Sequence, residues 1–260
     1  KPKCIVFAEG EEPSVIRAAY AFSELGLGNA VLIGREETVR ANMALVGVPE
    51  EANLNIVNAR LSEHNGLYAD FLYKRLQRFG FLQRDTQRLV NLDRNVFGAC
   101  MVAMGHADGM VTGVTRNYAT ALDDVLKVVD TAPRERVMGM SVILMKGRTL
   151  FISDTAVAEF PDAAELAQIV LQSAAMARQF GVTPRVALIS HSNFGNPKME
   201  RSEKIRDAVS ILDRREEIDF EYEGEMNVDV ALHPNMRELY PFSRLSEPAN
   251  VLVMPALHSA

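Results

Sequence analysis

The run Ser190-His191-Ser192-Asn193-Phe194-Gly195-Asn196 gathers two hydroxyls, an imidazole and two side-chain amides around a glycine. Hydroxyl and amide groups donate hydrogen bonds to oxyanions, and a glycine lets a ligand come close to backbone N–H groups. Anion binding is the chemistry such a set offers. The same residues would also serve an ordinary strand-to-helix connection whose polar groups only cap the helix. A second set, TGVTRNY, crowds Thr112, Thr115, Arg116, Asn117 and Tyr118 together. The Arg116 guanidinium presents a fixed fork of donors that fits phosphate or carboxylate, its alternative being a surface arginine at a helix start. Asp154 and Thr155 form a third polar pair at a strand end.

Other chemistries find less support. His64, His106, His191, His233 and His258 have no spacing that sets two ligands on one helical face, so no metal site is expected. Ser190, His191 and Ser192 invite a nucleophile and base, but side chains adjacent in a strand point to opposite faces. No catalytic residue is assigned. Glu221, Glu223 and Glu225 alternate along an extended segment, and solvation of an exposed edge is expected for them. The chain has neither the Gly-Lys-Ser/Thr of a nucleotide P-loop nor a G-x-G-x-x-G turn.

The elements around these groups follow from periodicity. Val186 to Ser190 reads as a strand buried on both faces, and Ser202 opens a helical pattern with Ile205, Ala208, Val209 and Leu212 on one face. The loop between them lies where unpaired N–H groups and the helix dipole favour an anion, at the strand end that binds ligands in open α/β sheets. Met110 and Val111 lead into TGVTRNY in the same way. Cys4 to Phe7, Ala30 to Ile33 and Asn250 to Met254 read as further strands. Pro13 opens a helix carrying Val15, Ile16, Ala19 and Phe22 that Gly26 and Gly28 end, and another restarts at Arg35. Residues 62–94 are helix-rich with a break near Gly80, and Ala99 to Met104 is helical. Asp162 and Glu165 cap a helix with Leu166, Ile169, Val170, Ala174 and Ala177 inward, closed by Gly181. This alternation is that of an α/β protein with a mostly parallel sheet. Met140 to Met145 and Thr149 to Ile152, joined by Lys146-Gly147-Arg148, form a hairpin. The charged break at Arg134 to Arg136 just before it divides the chain into lobes 1–135 and 136–260.

A chain of 260 residues with 48% hydrophobic content can bury one large core or two modest ones. Its net charge of −6 disfavours nucleic acid and anionic membrane as partners. No apolar run approaches the ~20 residues that span a bilayer. Two cysteines, Cys4 and Cys100, and no secretory signal lead to the expectation of a reducing cytoplasm. The abrupt start at CIVFAEG is expected of a domain cut from something longer.

Laid out in this order, IVFAEGEEPSVIRAA, VLIGR, RDTQRLVNLDRNVFGACMVAMGHADGMVTGVTRNYATAL, ISDTAVAEFPDAAELA, ALISHSNFGNPKMERSEKIRDAV, DFEYEGEMNVDVAL and PANVLVMPALHSA give the chain a resemblance to the phosphotransacetylase family. LDRNVFGACMVAMG and SHSNFGNP resemble the branch fused to the C-terminal side of bacterial NADP-dependent malic enzymes. The resemblance implies a two-lobed α/β/α sandwich related to the isocitrate and isopropylmalate dehydrogenases, with an acetyl-CoA or phosphate site in the cleft between lobes. Thr112, Thr115, Arg116 and Asn117 from one lobe and Ser190, Ser192, Asn193, Gly195 and Asn196 from the other are expected to touch that ligand.

Family transacetylases carry a catalytic arginine in a Leu-Arg-Pro segment, where this sequence reads Leu122-Asp123-Asp124, so that Asp123 would repel phosphate. The family's Ser-Arg-Gly-Cys-Ser segment, within a C-terminal return to the first lobe, would lie past residue 260. The implied role is therefore a regulatory and oligomerisation domain that senses acetyl-CoA without chemistry of its own, in a homo-oligomer. Its N-terminal malic enzyme partner would decarboxylate malate to pyruvate with NADP and a divalent metal. The alternative is a working phosphate acetyltransferase moving acetyl between CoA and phosphate.

Overall fold

A computed structural model describes residues 2–198 and 200–259. The chain forms two compact units, Lys1–Asp130 and Thr131–Ala260. In the first, β1 (Lys3–Phe7), α1 (Pro13–Glu24), β2 (Gly28–Ile33), α2 (Glu36–Leu45) and β3 (Asn55–Val57) alternate. Three helices follow, α3 (Asn65–Leu76), α4 (Gln83–Leu92) and α5 (Arg94–Ala103), and then β4 (Gly109–Val111) and α6 (Tyr118–Leu126). All strand pairs in the order β3-β2-β1-β4 are parallel. Successive strand residues point to opposite faces, and the core divides accordingly. Val6, Val31 and Ile33 pack with Tyr68, Leu72, Val90 and Phe97 of α3 to α5. Phe7, Ala30 and Leu32 pack with Ile16, Ala19, Val39 and Met43 of α1 and α2. Pro13 stands in the first turn of α1, where its missing N–H costs nothing.

The second unit contains β5 (Met140–Met145), β6 (Arg148–Ser153), α7 (Ala163–Gln179), β7 (Arg185–Ile189), α8 (Glu200–Leu212) and β8 (Glu221–Met226). Short helices α9 (Val228–Leu232) and α10 (Pro234–Arg237) precede β9 (Val251–Val253). The sheet order is β5-β6-β9-β7-β8, with β5 antiparallel to β6 and every other pair parallel. Gly147, at φ 73°, supplies the left-handed residue of the β5–β6 turn. The Asp162 and Glu165 side chains form the reciprocal capping box of α7. Phe151, Val186, Leu188 and Val251 face α7 and α8, while Leu150, Ala187, Ile189 and Leu252 face Val230, Ala231 and Leu245. The fold is thus α/β, with one parallel and one mixed sheet. No helix among the described residues is long and apolar enough to cross a membrane.

The units part between Asp130 and Thr131, ahead of the charged Arg134 to Arg136 break. Arg75 explains where the first unit stops, since its guanidinium bonds Asp130 at 2.5 and 2.6 Å and the Lys127 carbonyl at 2.9 Å. Arg136 belongs to the second unit through its backbone bonds to Gln172 and its ion pair with Glu165 at 2.9 Å.

Strands β1 and β2 approach closely at the Lys3 and Gly28 pair, where a Cβ on residue 28 would lie 2.2 Å from the Lys3 carbonyl oxygen. Gly28→Ala is expected to destabilise the first unit by about 1–3 kcal/mol in urea denaturation, by overpacking against backbone that cannot yield. An unchanged midpoint would show that β1 shifts freely.

Candidate functional site

At the carboxyl end of β7 the polar loop is fastened from below by a carboxylate. Glu225, near the end of β8, is wholly buried, and accepts from the Ser192 hydroxyl at 2.8 Å, the Gly195 N–H at 2.9 Å and Arg206 Nη1 at 2.9 and 3.1 Å. Its own carbonyl accepts from the Phe194 N–H at 2.9 Å. The loop turns tightly, with reciprocal Asn193 and Asn196 backbone bonds of 2.9 and 3.0 Å, Phe194 at φ 50° and Gly195 at φ 89°. The Asn193 side-chain oxygen accepts from the Asn227 N–H at 2.7 Å. Beneath the turn, the hydroxyl oxygens of Ser190, Ser192 and Ser202 lie within 2.7 to 3.2 Å of one another. Ser202 therefore lends its side chain to this cluster. Ser190 is buried and His191 exposed, the alternation that separates a would-be dyad.

The exposed-edge expectation for the three glutamates is corrected here. β8 is indeed at an edge of its sheet, yet Glu223 and Glu225 are buried because guanidiniums reach them from distant segments. Arg244 bonds Glu223 from its backbone N–H at 2.9 Å and from Nη2 at 3.1 Å, and Arg206 bonds Glu225. Glu221 accepts from the Ser246 N–H at 2.9 Å and hydroxyl at 2.6 Å. Sequence reasoning missed Glu225 because nothing local marks a carboxylate whose partners lie 19 and 33 residues away.

The first unit repeats the device at the carboxyl end of β4. Glu9 is 4% exposed and accepts from the N–H groups of Gly113, Val114 and Thr115 at 2.9, 2.7 and 2.7 Å, and from the Thr115 hydroxyl. The amides that would cradle a ligand anion are occupied by the chain's own carboxylate. Burial works to raise the Glu9 pKa, and the Thr115 hydroxyl with the three backbone donors outweighs it, holding the group below its ordinary value. Thr112 donates its hydroxyl to the Asn95 side-chain oxygen at 2.5 Å. Asn117 caps α6 by accepting from the Thr120 N–H at 2.9 Å.

Arg116 Nη1 lies 2.5 Å from carboxylate oxygens of both Asp93 and Asp124. Asp93 also caps α5 through the Asn95 and Val96 N–H groups, and Lys127 pairs with Asp124 at 2.8 Å. Hydrogen bonding to Asp93, with a smaller part from Asp124, raises the Arg116 pKa against the opposing effect of burial. The repulsion assigned to Asp123 is corrected: Asp123 is exposed, and Asp124, 5% exposed, is the acid that turns inward. A helix advances about 100° per residue, which separates the two.

Each unit has a cavity beside its loop. That of the first, about 280 Å³, is lined by Glu9, Leu92, Arg94, Asn95, Thr115 and Arg116. That of the second, about 830 Å³, is lined by Ser190, His191, Lys204, Val228 and Met254 among others. Lys204, which sequence reasoning passed over, donates to the Pro255 carbonyl at 3.1 Å, and burial pushes its pKa down. Its place in the first turns of α8 was the available signal.

Parallel strands ending in polar loops, covered on both faces, define the class to which the chain belongs: residues 1–260 match the phosphate acetyl/butaryl transferase family, and the chain is a member of it. Within that family it is 56% identical to the NADP-dependent malic enzyme of Rhizobium meliloti (strain 1021), over 100% of this chain and 34% of that protein. It is 46% identical to the probable NADP-dependent malic enzyme of Rickettsia prowazekii (strain Madrid E), over 99% of this chain and 35% of that protein. The chain thus spans about a third of the length of these relatives. Among solved structures it resembles the EutD phosphotransacetylase from Staphylococcus aureus, with a TM-score of 0.89 and 26% identity over 99% of this chain and 78% of that one.

Because its folded-state pKa is depressed, Glu9 contributes stability at neutral pH that is lost as pH falls through that lowered pKa. An NMR titration of the Thr115 amide is expected to show a midpoint below the ordinary glutamate value of 4.5 and to lose it in Glu9→Gln. A midpoint at or above 4.5 would contradict the carboxylate nest.

Proposed function

We propose that this chain is the acetyl-CoA-sensing regulatory and oligomerisation part of an NADP-dependent malic enzyme and performs no acyl transfer itself. The rest of such a protein would decarboxylate malate to pyruvate with NADP and a divalent metal, in the cytoplasm. Kinship with the isocitrate and isopropylmalate dehydrogenase fold is part of the same reading. The observation that carries it is the charge balance at Arg116. Phosphoryl and acyl-phosphate chemistry needs positive charge aimed at a developing anion, uncompensated until that anion arrives. Here Arg116 and Lys127 face Asp93 and Asp124, so the local sum is zero, and Leu122-Asp123-Asp124 stands where the resemblance expects an arginine. Binding without catalysis makes lesser demands, because an effector acts only through its unequal affinity for two states.

In the first unit Thr112, Thr115, Arg116 and Asn117 are the residues proposed to meet the effector, and in the second Ser190, Asn193, Gly195 and Asn196. Ser192, with no exposed surface, supports the loop from within. Self-association is supported by β5, an edge strand on which Val142, Ile143, Leu144 and Met145 are 38, 40, 78 and 46% exposed. An apolar edge of this kind invites pairing.

Acetyl-CoA is expected to change malate-dependent NADP reduction by the full chain, and Asn196→Asp to require roughly tenfold more of it, through a charge placed against the effector's phosphates. An unchanged response in the variant would remove this loop from the site, and formation of acetyl phosphate from acetyl-CoA and phosphate would overturn the non-catalytic reading. Leu144→Asp is expected to lower the oligomeric state in sedimentation; identical sedimentation would exclude the β5 edge.

A further inference from the structure

At the carboxyl ends of β2 and β3, next to the loop cavity with which it shares Leu92 and Arg94, the first unit has a cavity of about 390 Å³ whose charged lining residues are Glu11, Arg35, Arg60 and Arg94. A second cavity of about 430 Å³ adjoins it, sharing Arg60 and Asn91 and adding Arg84 and Arg88. Five guanidiniums thus line the pair against a single carboxylate, in a chain whose net charge is −6. Glu11 is already used. It accepts from the Arg35 backbone N–H at 2.8 Å and Nε at 3.1 Å, and from Arg94 Nη2 at 2.6 Å. Burial works to raise its pKa, but these bonds and the charge of Arg94 prevail and keep it ionised. Glu11 therefore acts as a bracket that holds two arginines at the cavity wall and neutralises only one of them.

The remaining cations lack such partners. Arg84 is 3.9 Å from Asp85 with its side chain 82% exposed, and the guanidiniums of Arg60 and Arg88 make no hydrogen bond or ion pair among the described residues. Like charges brought together without compensation repel, and the cost is recovered when an anion binds between them. Guanidinium forks pair with phosphate through two parallel hydrogen bonds. The two cavities offer arginines on either side of Arg60, which suits two linked phosphates better than one.

We propose that these adjoining cavities form a binding site for the diphosphate group of a small organic ligand, separate from the residues proposed to meet acetyl-CoA. The proposal does not depend on that reading. Inorganic pyrophosphate is the probe, titrated calorimetrically into the full chain. Saturable binding is expected, weakened by roughly tenfold or more in the Arg60→Ala/Arg88→Ala double variant and unchanged in Asn196→Asp. Both arginines are exposed, and an unaltered thermal melt checks that the fold survives. Displacement of pyrophosphate by ADP assigns the site to a nucleotide diphosphate, and displacement by acetyl-CoA but not ADP assigns it to the CoA diphosphate; either supports the site. Absence of saturable binding, or equal affinity in the double variant, overturns it.

Discussion

Taking a carboxylate out of water costs several kcal/mol unless hydrogen bonds and opposite charge replace its hydration. Each unit of this chain meets that requirement in the same place, under the loop that follows a strand. Glu9 collects three backbone N–H groups and a hydroxyl, and Glu225 collects a hydroxyl, an N–H and a guanidinium. Phe194 of the second unit adds ring contacts to Tyr240 and Phe242 at 5.0 and 4.8 Å, while the polar groups of both loops are held by these anions. In the second unit the constraint extends further, because the Ser190, Ser192 and Ser202 hydroxyls must orient around the one that Glu225 claims.

The same economy governs Arg116. Its two carboxylate partners come from the cap of α5 and from the inner face of α6, so one guanidinium fixes a loop and two helices to one another. A side chain committed in that way is well placed to hold a surface and poorly placed to stabilise a transient charge. The family's architecture is present in this chain, and within it the Arg116 guanidinium is met by two of the chain's own carboxylates.

Much of this was legible in the sequence, and the limits have physical causes. Strands with continuous apolar runs, such as Val186 to Ile189, and helices with explicit caps, such as that opened by Asp162 and Glu165, announce themselves locally. The strand-end loops were legible for the same reason. Their internal wiring was not. Glu9 and Thr115 are 106 residues apart, and Glu225 and Ser192 are 33 apart, so no spacing rule connects them. The alternating glutamates of β8 misled because alternation reports a shared face without saying which arginines cover it. Asp123 and Asp124 differ by one residue, and only the phase of α6 decides which of them turns inward.

Strand β9 has a bearing on how the second unit is made. Residues 251–253 lie between β6 and β7, and neither of those strands bonds the other directly. On the ribosome, the β5–β6 hairpin and the β7–β8 pair can each form as they emerge, yet they remain two separate ribbons until residue 253 has been synthesised. Sheets joined by pairings so distant in sequence close slowly and leave edges exposed meanwhile. For about a hundred residues of synthesis after β6, and about sixty after β7, the nascent chain must therefore keep the inner edges of these strands from other partners, a demand that falls on chaperones and on translation speed more than on the finished fold.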